Sequence, residues 1–105
     1  MLKIVNNKIY LVRGDSGAIT VTVLNADGST RVIQPDDEIL MTVRASPTSE
    51  ILFQKTGPEI IIDPTDTASL AFGIYCYDVQ ITLADGTVDT VIPKNDFVVL
   101  EEVTY

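Results

Sequence analysis

The side chains that could support catalysis in this chain are its carboxylates and one thiol, because the sequence contains no histidine. Without histidine there is no imidazole general base and no Ser-His or Cys-His nucleophile pair. Cys76 lies in the middle of a predicted strand, so we expect a small buried side chain and not a nucleophile. A single cysteine cannot form an internal disulfide, which is typical of synthesis in a reducing cytoplasm.

The carboxylates occur mostly at predicted turns, where an Asp side chain accepts hydrogen bonds from nearby backbone. The turn positions are Asp15, Asp27, Asp63, Asp66, Asp85 and Asp96. Asp36, Asp37 and Glu38 form the densest acidic cluster, but they lack the spacing of a dedicated calcium loop. We therefore predict no catalytic residue, no metal site and no cofactor site.

Arg13-Gly14-Asp15 is the one tripeptide with a known adhesive use, as an integrin ligand in an exposed loop. It lies between two predicted strands, where a Gly-Asp pair is ordinary turn chemistry. We interpret it as a structural turn.

The strand that contains Tyr75 and Tyr77 alternates apolar and polar residues. The two tyrosines share parity with Val79, which predicts core packing and not a sugar-stacking platform. A tyrosine just after a corner also resembles the tyrosine corner of Greek-key sandwiches, whose hydroxyl bonds upstream backbone. Asp78 has the opposite parity and faces solvent or an interface, with Arg44 as a candidate cross-strand partner.

Short strands and turn signals alternate along the whole chain, with hairpin signals at Asp27-Gly28 and Asp85-Gly86. Thr65 or Asp66 is predicted to cap a helical turn within residues 65–72, and Pro93-Lys94-Asn95 is predicted to link the last two strands. The predicted strands are residues 8–12, 18–24, 39–45, 50–55, 59–62, 74–84, 87–92 and 96–101. This pattern predicts one all-β domain over residues 1–105, an Ig-like antiparallel β-sandwich of about seven or eight strands with one short helical turn.

The composition restricts the classes of partner that the chain is expected to bind. The formal net charge is −8 and the few basic residues are never adjacent, so we expect no nucleic-acid binding. No apolar run approaches the roughly 18 residues of a membrane span, so we expect no membrane partner. Residues 1–7 are too short and too polar for a secretion signal.

Six segments in fixed order cover nearly the whole chain: residues 9–16, 37–44, 61–67, 73–82, 85–92 and 97–104. The first is a strand running into an Arg-Gly-Asp-Ser turn, and the fourth is Gly-x-Tyr-x-Tyr-Asp-Val-Gln-Ile-Thr. Together they resemble the N-terminal β-sandwich domain of phage upper-baseplate, or receptor-binding-complex, proteins and small prophage relatives.

The resemblance implies a non-catalytic structural protein, made in the bacterial cytoplasm and built into a virion as an adaptor in a tail or baseplate. Its partners would be other virion proteins or further copies of itself, bound through sheet edges or loop tips. The last strand and Glu101-Glu102-Val103-Thr104-Tyr105 are the expected contact elements. The alternative is a carbohydrate- or receptor-binding module of similar fold, which would need exposed aromatic residues grouped together.

Overall fold

The computed structural model describes residues 2–101. The strands are β1 (Leu2–Val5), β2 (Lys8–Val12), β3 (Gly17–Thr20), β4 (Glu38–Arg44), β5 (Ile51–Gly57), β6 (Glu59–Ile62), β7 (Gly73–Thr82) and β8 (Val88–Leu100), with a short helix α1 (Pro64–Thr67) before β7. The predicted all-β fold with one helical turn is confirmed. None of the helical structure in residues 2–101 could cross a bilayer.

The strands form two sheets of unequal size. One has six strands in the order β1-β2-β8-β7-β4-β5, and the other pairs β3 with β6. All these pairs are antiparallel except β2 with β8, where Ile9 lies opposite Phe97 and Val12 lies opposite Leu100 in parallel register. The antiparallel prediction is wrong at this pair, because β8 returns beside β2 running in the same direction. The larger sheet is therefore mixed.

The core lies between the two sheets and is filled by alternate residues of each strand. Phe97 is fully buried and meets Phe53 edge to face, with ring centroids 5.9 Å apart. Cys76 is also buried, as predicted, although it lies on the opposite side of the sheet from this core. Tyr77 and Val79 are buried, as their parity predicted. The other buried residues at alternate positions include Ile19, Val21, Val23, Ile39, Met41, Val43 and Ile81.

Three predicted strands differ most from the structure in their bounds. The strand expected over residues 18–24 ends at Thr20, and beyond it Leu24 makes one isolated bridge to Thr30. Residues 87–101, expected as two strands around a Pro93 link, contain the single strand β8. Pro93 is tolerated because it falls at an irregularity in the β7–β8 ladder, and β2 pairs only with the later part of β8.

The cap of α1 also differs from the prediction. Asp63 is the N-cap, and neither Thr65 nor Asp66 has that role. The backbone N–H of Asp63 donates to Oδ2 of Asp66 at 2.7 Å, which is the return bond of a capping box. Pro64 occupies the first helical position, where the missing N–H needs no partner.

Truncating Phe97 tests whether the core depends on this strand. We expect Phe97→Ala to lower the free energy of unfolding by about 3–5 kcal/mol, because it removes a fully buried ring and leaves a cavity. Chemical denaturation measures the loss. Ile74→Ala is the control, since Ile74 is exposed and should change stability far less. Similar losses in both variants would contradict the core assignment.

Candidate functional site

The Arg-Gly-Asp turn is bound to the segment around α1. The guanidinium carbon of Arg13 lies 4.2 Å from the ring centroid of Phe72, and Nη1 donates to the carbonyl of Leu70 at 3.2 Å. The N–H of Gly14 donates to Oγ1 of buried Thr67 at 2.9 Å. The turn therefore joins the end of β2 to the connection before β7, which agrees with the structural interpretation.

Both tyrosines of β7 bond upstream backbone through their hydroxyls. Tyr75 Oη donates to the carbonyl of Ala71 at 2.7 Å, four residues earlier. Tyr77 Oη donates to the carbonyl of Asn7 in the β1–β2 turn. Burial raises the pKa of Tyr77 to about 12. The local bond of Tyr75 agrees with the predicted tyrosine corner, whereas the bond of Tyr77 is a long-range contact to the β1–β2 turn. Neither ring is placed as an open stacking platform.

A shallow groove crosses the outer face of the larger sheet beside Cys76. Its lining includes Asp78, Arg44 and Lys94. In the ladder Asp78 lies opposite Thr42, whereas Arg44 lies opposite Cys76 and donates to the carbonyl of Ser49 at 2.6 Å. Arg44 and Asp78 are therefore brought to one groove, but they are not direct cross-strand partners.

Asp37, in the acidic cluster before β4, forms its hydrogen bonds within its own loop. Asp37 accepts from both the Arg31 guanidinium, at 3.0 Å, and the backbone N–H of Gln34, at 2.8 Å. These bonds, the Gln34 bond first, lower the pKa of Asp37 from its ordinary value. In residues 2–101 no three His, Cys, Asp or Glu side chains are grouped as metal ligands.

A second ion cluster, not found from the sequence, fixes α1 to β5. Lys55 Nζ lies 2.7 Å from Oδ2 of Asp66 and 3.3 Å from Oδ2 of Asp63. The hydrogen bond to Asp66, then that to Asp63, raises the pKa of Lys55. Lys55 lies opposite Met41 in the ladder, on the core side of the sheet. The sequence did hold a signal for this cluster, because Lys55 shares parity with Phe53 in β5 and so is a charged residue on the apolar face of the strand.

A cleft of about 740 Å³ lies between the sheets, toward the β7–β8 turn. It forms because two strands and the loop from Val21 to Asp37 cover one end of a six-stranded sheet. Buried aliphatic residues dominate the lining, which also includes Arg31 and Asp89. The lining contains neither histidine nor cysteine, so it offers no nucleophile pair.

The sheet edges are the remaining places where backbone groups could bind a partner. The larger sheet ends at β1 and β5, and the early part of β8 has β7 as its only ladder neighbour within residues 2–101. Phe97, Val98 and Val99 have ladder partners in both β7 and β2, so this part of the last strand is not a sheet edge. A contact role for the last strand stays a prediction. Residues 102–105 of the expected contact tail lie outside the described residues.

Removing the Arg13 side chain tests its structural role. We expect Arg13→Ala to lower the free energy of unfolding by about 1–2 kcal/mol, because it loses the Phe72 stacking and the Leu70 hydrogen bond. Denaturant unfolding measures the loss. Lys94→Ala is the control, since Lys94 is an exposed cation on the far face. An unchanged midpoint for Arg13→Ala would contradict the role.

Alkaline titration tests the burial of Tyr77. Its pKa is about 12 in the folded protein against an ordinary value of 10.0, so the folded state holds this proton longer than the unfolded state. The stabilisation is complete below pH 10 and is lost as pH rises toward 12. We expect the denaturation midpoint to fall over that window, and to fall less in Tyr77→Phe. The wild type is the reference, and equal slopes in the two proteins would refute the assignment.

Comparisons with protein-family models, with curated proteins and with solved structures found no match to this chain.

Proposed function

We propose that this chain is a non-catalytic structural protein of a phage or prophage particle, acting as an adaptor module in a tail or baseplate assembly. The proposal begins from the ordered segments that resemble upper-baseplate domains. The main support is that the distinctive side chains of these segments make contacts inside the protein and so have structural roles. The Arg-Gly-Asp turn binds the α1 connection, and both tyrosine hydroxyls bind backbone.

An adaptor works by presenting surfaces and not by holding reactive groups. The chain has no histidine, and its buried thiol donates to the carbonyl of Arg44. The ion pair of Asp37 with Arg31 fixes the loop before β4, and the cluster at Lys55 fixes the short helix to β5. What is left for function is the outer surface of the two sheets and their edges, which suits binding to other virion proteins or to further copies.

A carbohydrate- or receptor-binding module is the alternative function. Such modules use exposed aromatic rings grouped on one face. Tyr77 and Phe97 are buried, the Tyr75 hydroxyl is bound to Ala71, and Phe72 is stacked by Arg13. No structural observation favours this alternative over the assembly role. Clear binding to a glycan on an array would favour the carbohydrate-binding function instead.

Mass spectrometry of purified particles tests the assembly role. Particles from an induced host strain carrying the gene would be banded on a density gradient and analysed fraction by fraction. We expect the chain to co-migrate with tail or baseplate proteins at a constant ratio. A matched cytoplasmic protein of similar abundance is the control for carry-over. Absence of the chain from particles in which other tail proteins are detected would contradict the proposal.

A further inference from the structure

The outer face of the six-stranded sheet has an apolar group of residues that nothing in residues 2–101 covers. Ile74 is 68% exposed and Leu100 is 40% exposed, while their neighbours on this face are half-buried. We call this group the outer stripe, and its residues are Tyr10, Val12, Ile74, Val98 and Leu100. Contiguous exposed apolar residues on a sheet face are typical of a contact surface.

The ladder register shows that the outer stripe is continuous. Val98 lies opposite Ile74 on one side and opposite Tyr10 on the other, and Tyr10 lies opposite Lys3. These four residues form one row across β7, β8, β2 and β1, which spans about 14 Å at normal strand spacing. The row therefore ends in a cation at the β1 edge.

Charge is divided unequally between the two sides of the molecule. The outer face of the larger sheet has four cations and three carboxylates: Lys3, Lys8, Arg44 and Lys94 with Glu38, Asp78 and Asp96. The second sheet, the loop from β3 to β4 and α1 have one cation, Arg31, and six carboxylates: Asp27, Asp36, Asp37, Glu59, Asp63 and Asp66. Lys55 of β5 reaches Asp63 and Asp66 from the larger sheet. One side is thus near neutral or cationic, and the other is acidic.

The second sheet also exposes a small apolar face. Ile60 and Ile62 point into the core, so Ile61 points outward and is 51% exposed. Ala18 lies opposite Ile61, and Thr20 lies opposite Glu59 in the next outward row. We call Ala18, Thr20, Glu59 and Ile61 the second-sheet face. It has an apolar pair beside a carboxylate, whereas the outer stripe has an apolar row beside a lysine.

We propose that the outer stripe of one copy packs on the second-sheet face of another copy. Ile61 and Ala18 would lie on Val98 and Ile74, and Glu59 would lie toward Lys3. Two second-sheet faces would bring two acidic sides of the molecule together, whatever their relative rotation. Two outer stripes would bring together two sides that each have a small excess of cations, whereas unlike faces bring opposite net charges together. The charges therefore select contact between unlike faces. This proposal deepens the assembly role and depends on it for its biological setting.

A contact between unlike faces leaves one face of each kind unpaired in every dimer. Such contacts continue until they close into a ring or extend as a filament. The second-sheet face is two strands wide and four residues long, so the contact is small. We expect weak association that becomes stable when many copies are held in one assembly.

A complementation experiment distinguishes unlike-face from like-face contact. Ile74→Glu places a carboxylate on the outer stripe, and Ile61→Lys places a cation on the second-sheet face. Both sites are exposed, so both variants should fold, as circular dichroism will check. Val32→Glu is the matched control, because Val32 is 73% exposed and lies on neither face. Mass is measured by sedimentation velocity across a concentration series at low and high salt.

We expect the wild type and Val32→Glu to form concentration-dependent oligomers beyond the dimer, weaker at high salt. Each face variant should be monomeric alone. Their mixture should regain association, because each variant keeps one intact face and the introduced carboxylate and ammonium groups attract each other across the other contact. A monomeric wild type at the highest concentration overturns the proposal, as does an oligomer that Ile61→Lys leaves unchanged.

The outcomes also separate this inference from the assembly role. A monomeric chain found in purified particles would refute the self-contact and leave the adaptor role supported by a different partner. A self-associating chain absent from particles would refute the virion role and leave the contact in place.

Discussion

The parallel pairing of β2 with β8 is the constraint on which the rest of the structure depends. It places Ile9 and Leu11 beside Phe97 and Val99, so that residues from the two ends of the sequence fill the centre of the core. The chain between β2 and β8 must therefore fold so that β8 lies beside β2 in the same direction. The Arg-Gly-Asp turn continues the pairing, since the N–H of Arg13 donates to the carbonyl of Leu100 at 2.9 Å. The Arg-Gly-Asp motif, which resembles an integrin ligand, therefore extends the pairing of β2 with β8.

Local signals predicted the antiparallel part of the fold well. Gly28 and Gly86 both have positive φ, and the two Asp-Gly turns occur where they were expected. β1 was not predicted, although the Asn6-Asn7 pair is a signal for it: the two residues have φ of 49° and 65°, the left-handed pair that a tight hairpin needs. The parallel pair was not predictable in this way, because its partners are distant in sequence and no turn connects them.

The sequence predicted that certain side chains are buried and that a helical turn is capped, but not the partners that these side chains bind. Alternation indicated that Tyr77 is buried, whereas its bond to Asn7 depends on the undetected β1–β2 hairpin. The predicted cap, Thr65 or Asp66, lies two or three residues after the observed N-cap Asp63. Asp63 and Asp66 together form the capping box, and both also bind Lys55. A lysine on the core side of a strand breaks the alternation rule, and only the tertiary position of α1 explains it.

The edges of the larger sheet have a consequence for solubility. β1 is four residues long, β5 has Lys55 directed inward, and the unpaired part of β8 contains Pro93. Short length, an inward charge and proline are three separate obstacles to adding a foreign strand. A protein rich in Val, Ile and Thr is an aggregation hazard when crowded, and cross-β stacking requires long, regular edges. These edges thus allow dense packing of folded copies while hindering amyloid growth.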